Sequence, residues 1–349
     1  MIEETINGKT YRLPNVLTCF QKEMYLHLID WKRNRITTEP GVNISRGEPI
    51  PYDAILPDRY VQREEMPHLY EGIRAKLAEH RKHNPFRIHK HFYHMVSSQA
   101  ANINLFLPIL HSPQVNTIFG KMKSDFKSLA TDLLDHGYCF EYWGGYYQGD
   151  SAGQGLLGDK AAQSGTDSDL AIAYRNHDNE LCLWLIEHKL TETEFTTCGG
   201  YKSNGRKACH DCTQSFSAIV NNKAICYYHD IRKFKYWDIT DQHRAFFVNH
   251  VNHEECPFQG GMNQLWRNQL LGLAIEQDEC QPYQNVTFSV VSHPDNKSLD
   301  DTLTAYKQLV ADNPKFTTFT SADVIAAASP PADIGLKTWV EWYREMYRV

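Results

Sequence analysis

The sequence predicts an α/β fold with a helical region at its N-terminus. Three observations carry this. In the first third of the chain, residues 19–36, 64–83 and 97–110 place apolar side chains at three- and four-residue spacing, the period of a helix packed on a core. Residues 144–168 then turn to glycine, serine and small polar residues. Beyond them, short apolar runs rich in β-branched residues are mixed with further helical patterns, the signature of an α/β architecture.

Taken in order, the 97–110 helix has a suitable N-cap in Ser97 or Ser98. A fourth helix is expected over 116–134, closed by His136-Gly137 because glycine favours the position after a helix end. Its stripe of Phe119, Met122, Phe126 and Leu129 reads as core. The 144–168 segment reads as an exposed loop and a lid candidate. Residues 169–175 and 181–189 are separated by the turn-forming NHDNE and read as a hairpin. Strands are expected at 285–292 and, more weakly, 315–320, with helices at 261–277, 298–311, 321–328 and 334–347. The organisation expected is a helical N-terminal region, residues 1–136, packed on a core of residues 137–349 that carries a cysteine-containing insertion at 195–256.

Composition excludes several classes. With 349 residues, 42% of them hydrophobic, the chain has material for a full core and no need of a disulfide scaffold. No apolar stretch approaches the roughly 18 to 20 residues of a bilayer span, and no membrane partner is expected. The opening MIEETINGKTYR lacks the basic-then-apolar order of a secretory signal, so the expected location is cytoplasmic. Nine cysteines, an odd number, then favour reduced thiols or metal ligands. A net charge of −6 gives no global attraction for a polyanion, so any nucleic-acid surface must be local. Residues 74–94 are the candidate, with Arg74, Lys76, Arg81, Lys82, Arg87 and Lys90 against the single acid Glu79. A solvated helix face is the alternative reading of this run.

The chemistry concentrates in the hairpin. A turn centred at residue 178 sets Asp169 opposite Glu187, and the two-residue strand period points Lys189 to the same face as Glu187. Carboxylates about 5 Å apart repel by roughly 3 kcal/mol at an effective dielectric near 20. A hard divalent cation such as Mg²⁺ would offset this, held by the two carboxylates with the backbone carbonyl of His188 as a further ligand. Lys189 could then orient or activate a water. Asp167, on the same strand face, competes with Asp169 for the role. An exposed ion pair of these residues, contributing under about 1 kcal/mol, is the bland alternative.

Asp169, a spacer of seventeen residues, then Glu187-x-Lys189 resembles the motif of the PD-(D/E)xK nuclease superfamily. The surrounding residues Thr166 to Asp169 and Glu187 to Glu192, with Pro257-Phe258 and Gln264-Leu265-x-Arg267, are similar to a restriction-endonuclease-like group of bacterial members, over residues 141–275. The first acid departs from the usual pattern in lacking a preceding proline. The resemblance implies a mixed central sheet flanked by helices and a deoxyribonuclease dependent on Mg²⁺ or Mn²⁺, with DNA ahead of RNA as partner. A setting in restriction, repair or defence follows from it, and a homodimer is compatible with it. It implies Asp169 and Glu187 as metal ligands and Lys189 as the residue that positions or deprotonates water. It also makes Glu141, upstream in YCFEYW, a third ligand candidate. Gln264, on a helix face shared with Arg267 and Asn268, becomes a residue contacting the site.

A second constellation is cysteine. Cys209 and Cys212 have a chelating CxxC spacing, and Cys198-Gly199-Gly200 suits a metal knuckle. Cys198, Cys212, Cys226 and Cys256, with Cys209 as substitute, are candidates for a zinc ion or an iron–sulfur cluster, although their separations match no zinc ribbon. Cys19, Cys139, Cys182 and Cys280 are expected to be buried thiols. His89, His91 and His94 read as packing, since no HExxH pattern is present, and there is no GxxxxGK[ST] motif. The competing function is a non-catalytic nucleic-acid or protein-binding module with a structural metal on the cysteines.

Overall fold

Asn7 and Gly8 both adopt positive φ, 49° and 76°, and reverse the chain between β1 (Ile2–Ile6) and β2 (Lys9–Leu13), the geometry that a two-residue hairpin turn demands. The computed structural model describes residues 2–45, 47–145, 155–159, 165–329 and 334–349. Helix α1 (Cys19–Arg35) opens with a capping box in which Thr18 and Gln21 satisfy each other's backbone N–H groups. A second hairpin, β3 (Gly41–Ser45) and β4 (Glu48–Tyr52), precedes the short α2 (Asp58–Gln62) and α3 (Glu71–His83). Then come α4 (Ser98–Leu110), capped by Ser97, α5 (Val115–Met122), β5 (Phe126–Leu129) and β6 (Tyr138–Tyr142). The central hairpin is β7 (Ser168–Asn176) and β8 (Leu181–Lys189). After it lie α6 (Phe216–Asn221), α7 (Tyr227–Asp230), α8 (Tyr236–Gln242) and α9 (Met262–Gln277). The chain closes with β9 (Asn285–Ser292), α10 (Asp300–Leu309), β10 (Phe316–Thr320), α11 (Ser321–Ala327) and α12 (Ile334–Tyr347).

Six strands form one mixed sheet in the order β10-β9-β8-β7-β5, with β6 also on β7. Strands β8, β9 and β10 run parallel, while β7 is antiparallel to β8, β5 and β6. One edge of β7 is therefore shared, with β6 on its first half and β5 on its last residues. Such a sheet is covered on both sides. Leu170, Ile172, Tyr174, Trp184 and Ile186 face a core built with α1, α3, α4, α5, α11 and α12. Ala171, Ala173, Leu183 and Leu185 face a second core built with α6, α8, α9 and α10. The strict alternation of these side chains places Asp169, Glu187 and Lys189 on the α9 side of the sheet.

Helix α4 lies almost wholly buried between the sheet and α12. Its Pro108 lacks an N–H and leaves the Asn104 carbonyl without its helical donor. Trp339 of α12 supplies one, Nε1 to O 2.8 Å.

The fold is the α/β architecture expected, with four departures. The N-terminal region is mainly helical but also carries the two hairpins. The 64–83 helix begins only at Glu71, because Pro67 and the left-handed Glu64 (φ 53°) interrupt it. The 116–134 helix stops at Met122, and its Phe126–Leu129 portion is a strand on β7, so the expected apolar stripe is split between α5 and β5. Phe119 and Phe126 still meet, at 5.5 Å between ring centroids. Strand β6 had no alternation to announce it. Of the 144–168 lid candidate, residues 146–154 and 160–164 lie outside the described residues, whereas Leu157 is buried in the second core.

Candidate active site

Three strands deliver three carboxylates to one place. The β7–β8 register pairs Leu170 with Ile186, which sets Asp169 opposite Glu187. Ser168 locks this end of the ladder: its Oγ accepts from the Ile186 N–H and lies equally close to the Ile186 carbonyl, 2.9 Å in each case. On the other side of β7, the pairs Phe140↔Leu170 and Tyr142↔Ser168 put Glu141 opposite Asp169. Glu141 has φ 52°, uncommon for a residue with a side chain, at this rim of the sheet. All three acids, with Lys189 and Glu192, line one cavity of about 620 Å³. Gln21 and Tyr25 of α1, Asn43 and Tyr52 of the second hairpin, and His89, His91 and Gln99 form its other wall.

Each acid is held by named donors. Glu187 Oε1 accepts from Gln264 Nε2 at 2.7 Å and lies 2.9 Å from Lys189 Nζ, while Oε2 accepts from Asn268 Nδ2 at 2.8 Å. Gln264 and Asn268 stand four apart on one face of α9. Asp169 Oδ2 accepts from the His188 backbone N–H at 2.7 Å. Gln99 Nε2 donates to Glu141 Oε1 at 2.9 Å. Burial, with Glu187 and Glu141 beside it, pushes the Asp169 carboxyl well above the usual carboxylate range. Burial alone would lower the Lys189 ammonium, but Glu187, Glu192 and Asp169 outweigh it and hold Lys189 protonated.

Four acids against one ammonium is an all-oxygen donor set with unbalanced negative charge, which fits a hard divalent cation. The oxygens of Glu141, Asp169 and Glu187 do not all lie within 4.8 Å of one another. An ion such as Mg²⁺, which takes one or two carboxylates and keeps several waters, would not need all three.

The family model described as restriction endonuclease associating with ARP matches residues 26–348. The chain belongs to this family. No curated protein and no solved structure matches it. No helix among the described residues of this restriction-endonuclease-like chain is long and apolar enough to cross a membrane.

The remaining residues singled out from the sequence of this family member divide sharply. Asp167 precedes β7 and is not among the residues lining the cavity. The His188 side chain points away from the acids, is buried with both ring nitrogens unpartnered, and has its pKa drawn down to about 4 by burial. His94 is likewise buried and neutral, lowered to about 3, between the rings of Tyr25 and Tyr52. Arg267 turns inward to Thr166 Oγ1 (3.4 Å), which donates to the buried Asp159; Tyr236 and Asp159 hold its charge against burial. It is therefore a packing cation and not a surface one.

The basic run divides as well. Arg74 donates to the carbonyls of Pro67 and Leu69, Arg81 lies over Phe86, and Lys82 pairs with Glu79. Arg87, His89, Lys90 and His91 are exposed, and His89 and His91 reach the cavity. Gln99 ties this rim to the site, since its Oε1 accepts from the His89 N–H at 2.9 Å while its Nε2 reaches Glu141.

Among the cysteines, Cys139 and Cys182 are buried as expected. Cys19, at the start of α1, and Cys280, in the turn after α9, are exposed instead, because both sit at element ends on the surface. Burial raises the thiols of Cys198, Cys212, Cys226 and Cys256. Cys209 is exposed; its sulfur lies within 4.8 Å of ligand atoms of His210 and Asp230. His210 is already committed there, accepting from Lys207 N–H through Nδ1 and donating through Nε2 to Asp230 at 2.9 Å.

Gln99, Gln21, Asn268 and Glu192 were not assigned to the site from the sequence. Gln99 and Gln21 lie on helices distant in sequence from the motif, so no spacing rule reaches them. Asn268 could have been found, because it stands one helical turn after Gln264.

Proposed function

We propose that this chain is a metal-dependent nuclease that hydrolyses phosphodiester bonds in DNA, with Asp169 and Glu187 as ligands to Mg²⁺ or Mn²⁺ and Glu141 in support. The observation that carries this reading is the convergence of Asp169, Glu187 and Lys189 on one cavity, with Asp169 held above its normal range. A divalent ion, when bound, would polarise the phosphate and make a coordinated water more acidic. The residues of the chain do the rest. Gln264 and Asn268 fix the Glu187 carboxylate so that its remaining lone pairs face the cavity. Lys189, kept protonated, acts as a donor that orients the attacking water and stabilises charge developing on the phosphate, not as a base. The backbone carbonyl of His188, next to the Asp169 contact, is a further ligand in this reading. Arg87 and Lys90 on the rim take the flanking phosphates.

The family's description as a restriction endonuclease supports DNA as substrate and a role in restriction or defence. The test is cleavage of plasmid DNA by the full-length protein with Mg²⁺ or Mn²⁺. Activity should stop with EDTA, return with added metal, and be absent in Asp169→Asn. Cleavage that survives chelation, or equal cleavage by the variant, overturns the proposal. DNA retained under chelation with no cleavage in any metal would favour a binding module instead.

A further inference from the structure

Segments 198–201, 209–212, 225–229 and 256–259 belong to the insertion between β8 and α9, and backbone bonds draw them together. Cys256 N–H donates to the Cys212 carbonyl (3.1 Å), Asp211 N–H to the Ile225 carbonyl (3.2 Å), and Cys198 N–H to the Gln259 carbonyl (3.2 Å). Cys198, Cys212, Cys226 and Cys256 thereby meet: each thiol feels the charge of each of the other three, in all pairings. Gly199 and Gly200 lie flat against the Tyr228 ring, where a Cβ on Gly199 would come within 2.8 Å of the tyrosine oxygen.

The surroundings of the sulfurs are those of anions. Tyr201 N–H donates to Cys198 Sγ at 3.4 Å, with Gly200 N–H beside it. The N–H groups of Tyr228 and His229, and the Trp237 indole, face Cys226; that of Phe258 faces Cys256. A thiol is a weak acceptor, whereas a metal-bound thiolate is a good one, so the N–H that donates to Cys198 Sγ and those near Cys226 and Cys256 suit ligation.

The sulfur spacing favours a cluster over a single ion. Four thiolates on one zinc, with Zn–S about 2.3 Å in a tetrahedron, stand roughly 3.8 Å apart. Among the described residues no three of these four sulfurs lie within 4.8 Å of one another. The sulfurs on a four-iron cubane stand roughly 6 Å apart.

We infer that Cys198, Cys212, Cys226 and Cys256 ligate a [4Fe–4S] cluster that staples the insertion together beside the nuclease site. On assembly the four thiols lose four protons, and their thiolates bind a [4Fe–4S]²⁺ core to give a dianionic site, with no change in oxidation state. The staple reaches the catalytic face through a short path. Two residues before Cys198, Thr196 N–H donates to Gln264 Oε1 at 3.0 Å, and Gln264 in turn holds Glu187.

The test uses the full-length protein purified without oxygen, and reconstituted with Fe²⁺, Fe³⁺ and sulfide if it emerges colourless. About four iron and four acid-labile sulfide per chain, with absorbance at about 400 nm, are expected. Cys226→Ser should lose most of both, whereas Cys209→Ser and Cys280→Ser should retain them. One zinc per chain without sulfide overturns the cluster in favour of a mononuclear site. A folded wild-type protein, judged by far-UV circular dichroism, that takes up neither iron nor sulfide overturns it outright. Wild-type metal content decides even if Cys226→Ser does not fold, and none of these readouts depends on DNA cleavage.

Discussion

Lys189 Nζ lies 2.9 Å from Glu187 Oε1, with the two side chains only 10% and 4% exposed. A surface pair of this kind contributes little, but here each partner neutralises a charge that the protein has already taken out of water. Lys189→Ala should therefore abolish cleavage and also destabilise the fold by about 3 kcal/mol, because it leaves Glu187 buried and unpaired. Lys189→Ala combined with Glu187→Gln should recover much of that stability without recovering activity. Urea denaturation of the two variants checks both statements.

Asp169 predicts a pH dependence. Its carboxyl is raised in the folded protein above its value in the unfolded chain, so its protonation favours folding. In EDTA, this contribution is fully present below about pH 4, the unfolded carboxylate range, and is lost as pH rises through the folded value. Wild type should thus lose thermal stability on going from pH 5 to 8 more steeply than Asp169→Asn. Mg²⁺ should narrow the difference, and most at the higher pH. Differential scanning fluorimetry at several pH values measures this, and parallel curves for the two proteins in EDTA would refute it.

Gln264→Ala and Asn268→Ala each remove one donor from Glu187. Loss of a residue that orients a metal ligand typically costs about 10- to 100-fold in affinity or activity, and that range is expected for each variant under single-turnover conditions. Asn268, wholly buried, should also cost about 1 to 3 kcal/mol of stability, since it leaves a buried acceptor unpaired.

Glu141→Gln should act on metal affinity more than on chemistry. The amide keeps a partner for Gln99 but removes one negative charge from the cavity. The Mg²⁺ concentration for half-maximal cleavage should rise about tenfold, with the rate at saturating Mg²⁺ largely retained. A metal titration distinguishes this from a loss in maximal rate.

Arg87→Glu with Lys90→Glu should weaken DNA binding and reduce the slope of log K against log salt by about 2 if each cation neutralises one phosphate. The same reversals at Arg81 and Lys82 should leave the slope unchanged, because those cations are engaged with Phe86 and Glu79 away from the cavity. Fluorescence anisotropy in EDTA reads both slopes.

The hairpin was legible because a two-residue period and a short turn determine register, and the register placed Asp169 opposite Glu187. Strands β8 and β9 and helix α12 match their sequence signals residue for residue. What escaped was tertiary. The apolar residues of 116–134 satisfy a helical period and a helix–turn–strand equally well, and only pairing with β7 decides. Asn7-Gly8 was a readable turn signal that the adjoining polar strands did not reinforce. The burial of Arg267 was not readable, because no sequence pattern announces Asp159 and Tyr236 as its surroundings.

The parallel pairing of β8 with β9 has a consequence for the order in which a ribosome can complete this site. Asp169, Glu187 and Lys189 are made early, but α9, which grips Glu187, and β9, which closes the other edge of β8, follow roughly a hundred residues later. At about 5 to 20 residues per second, this interval lasts on the order of 5 to 20 seconds. Throughout it the nascent chain carries Glu187 without the amides that orient it. The proposed nuclease would in this way become competent only after α9 and β9 have been made.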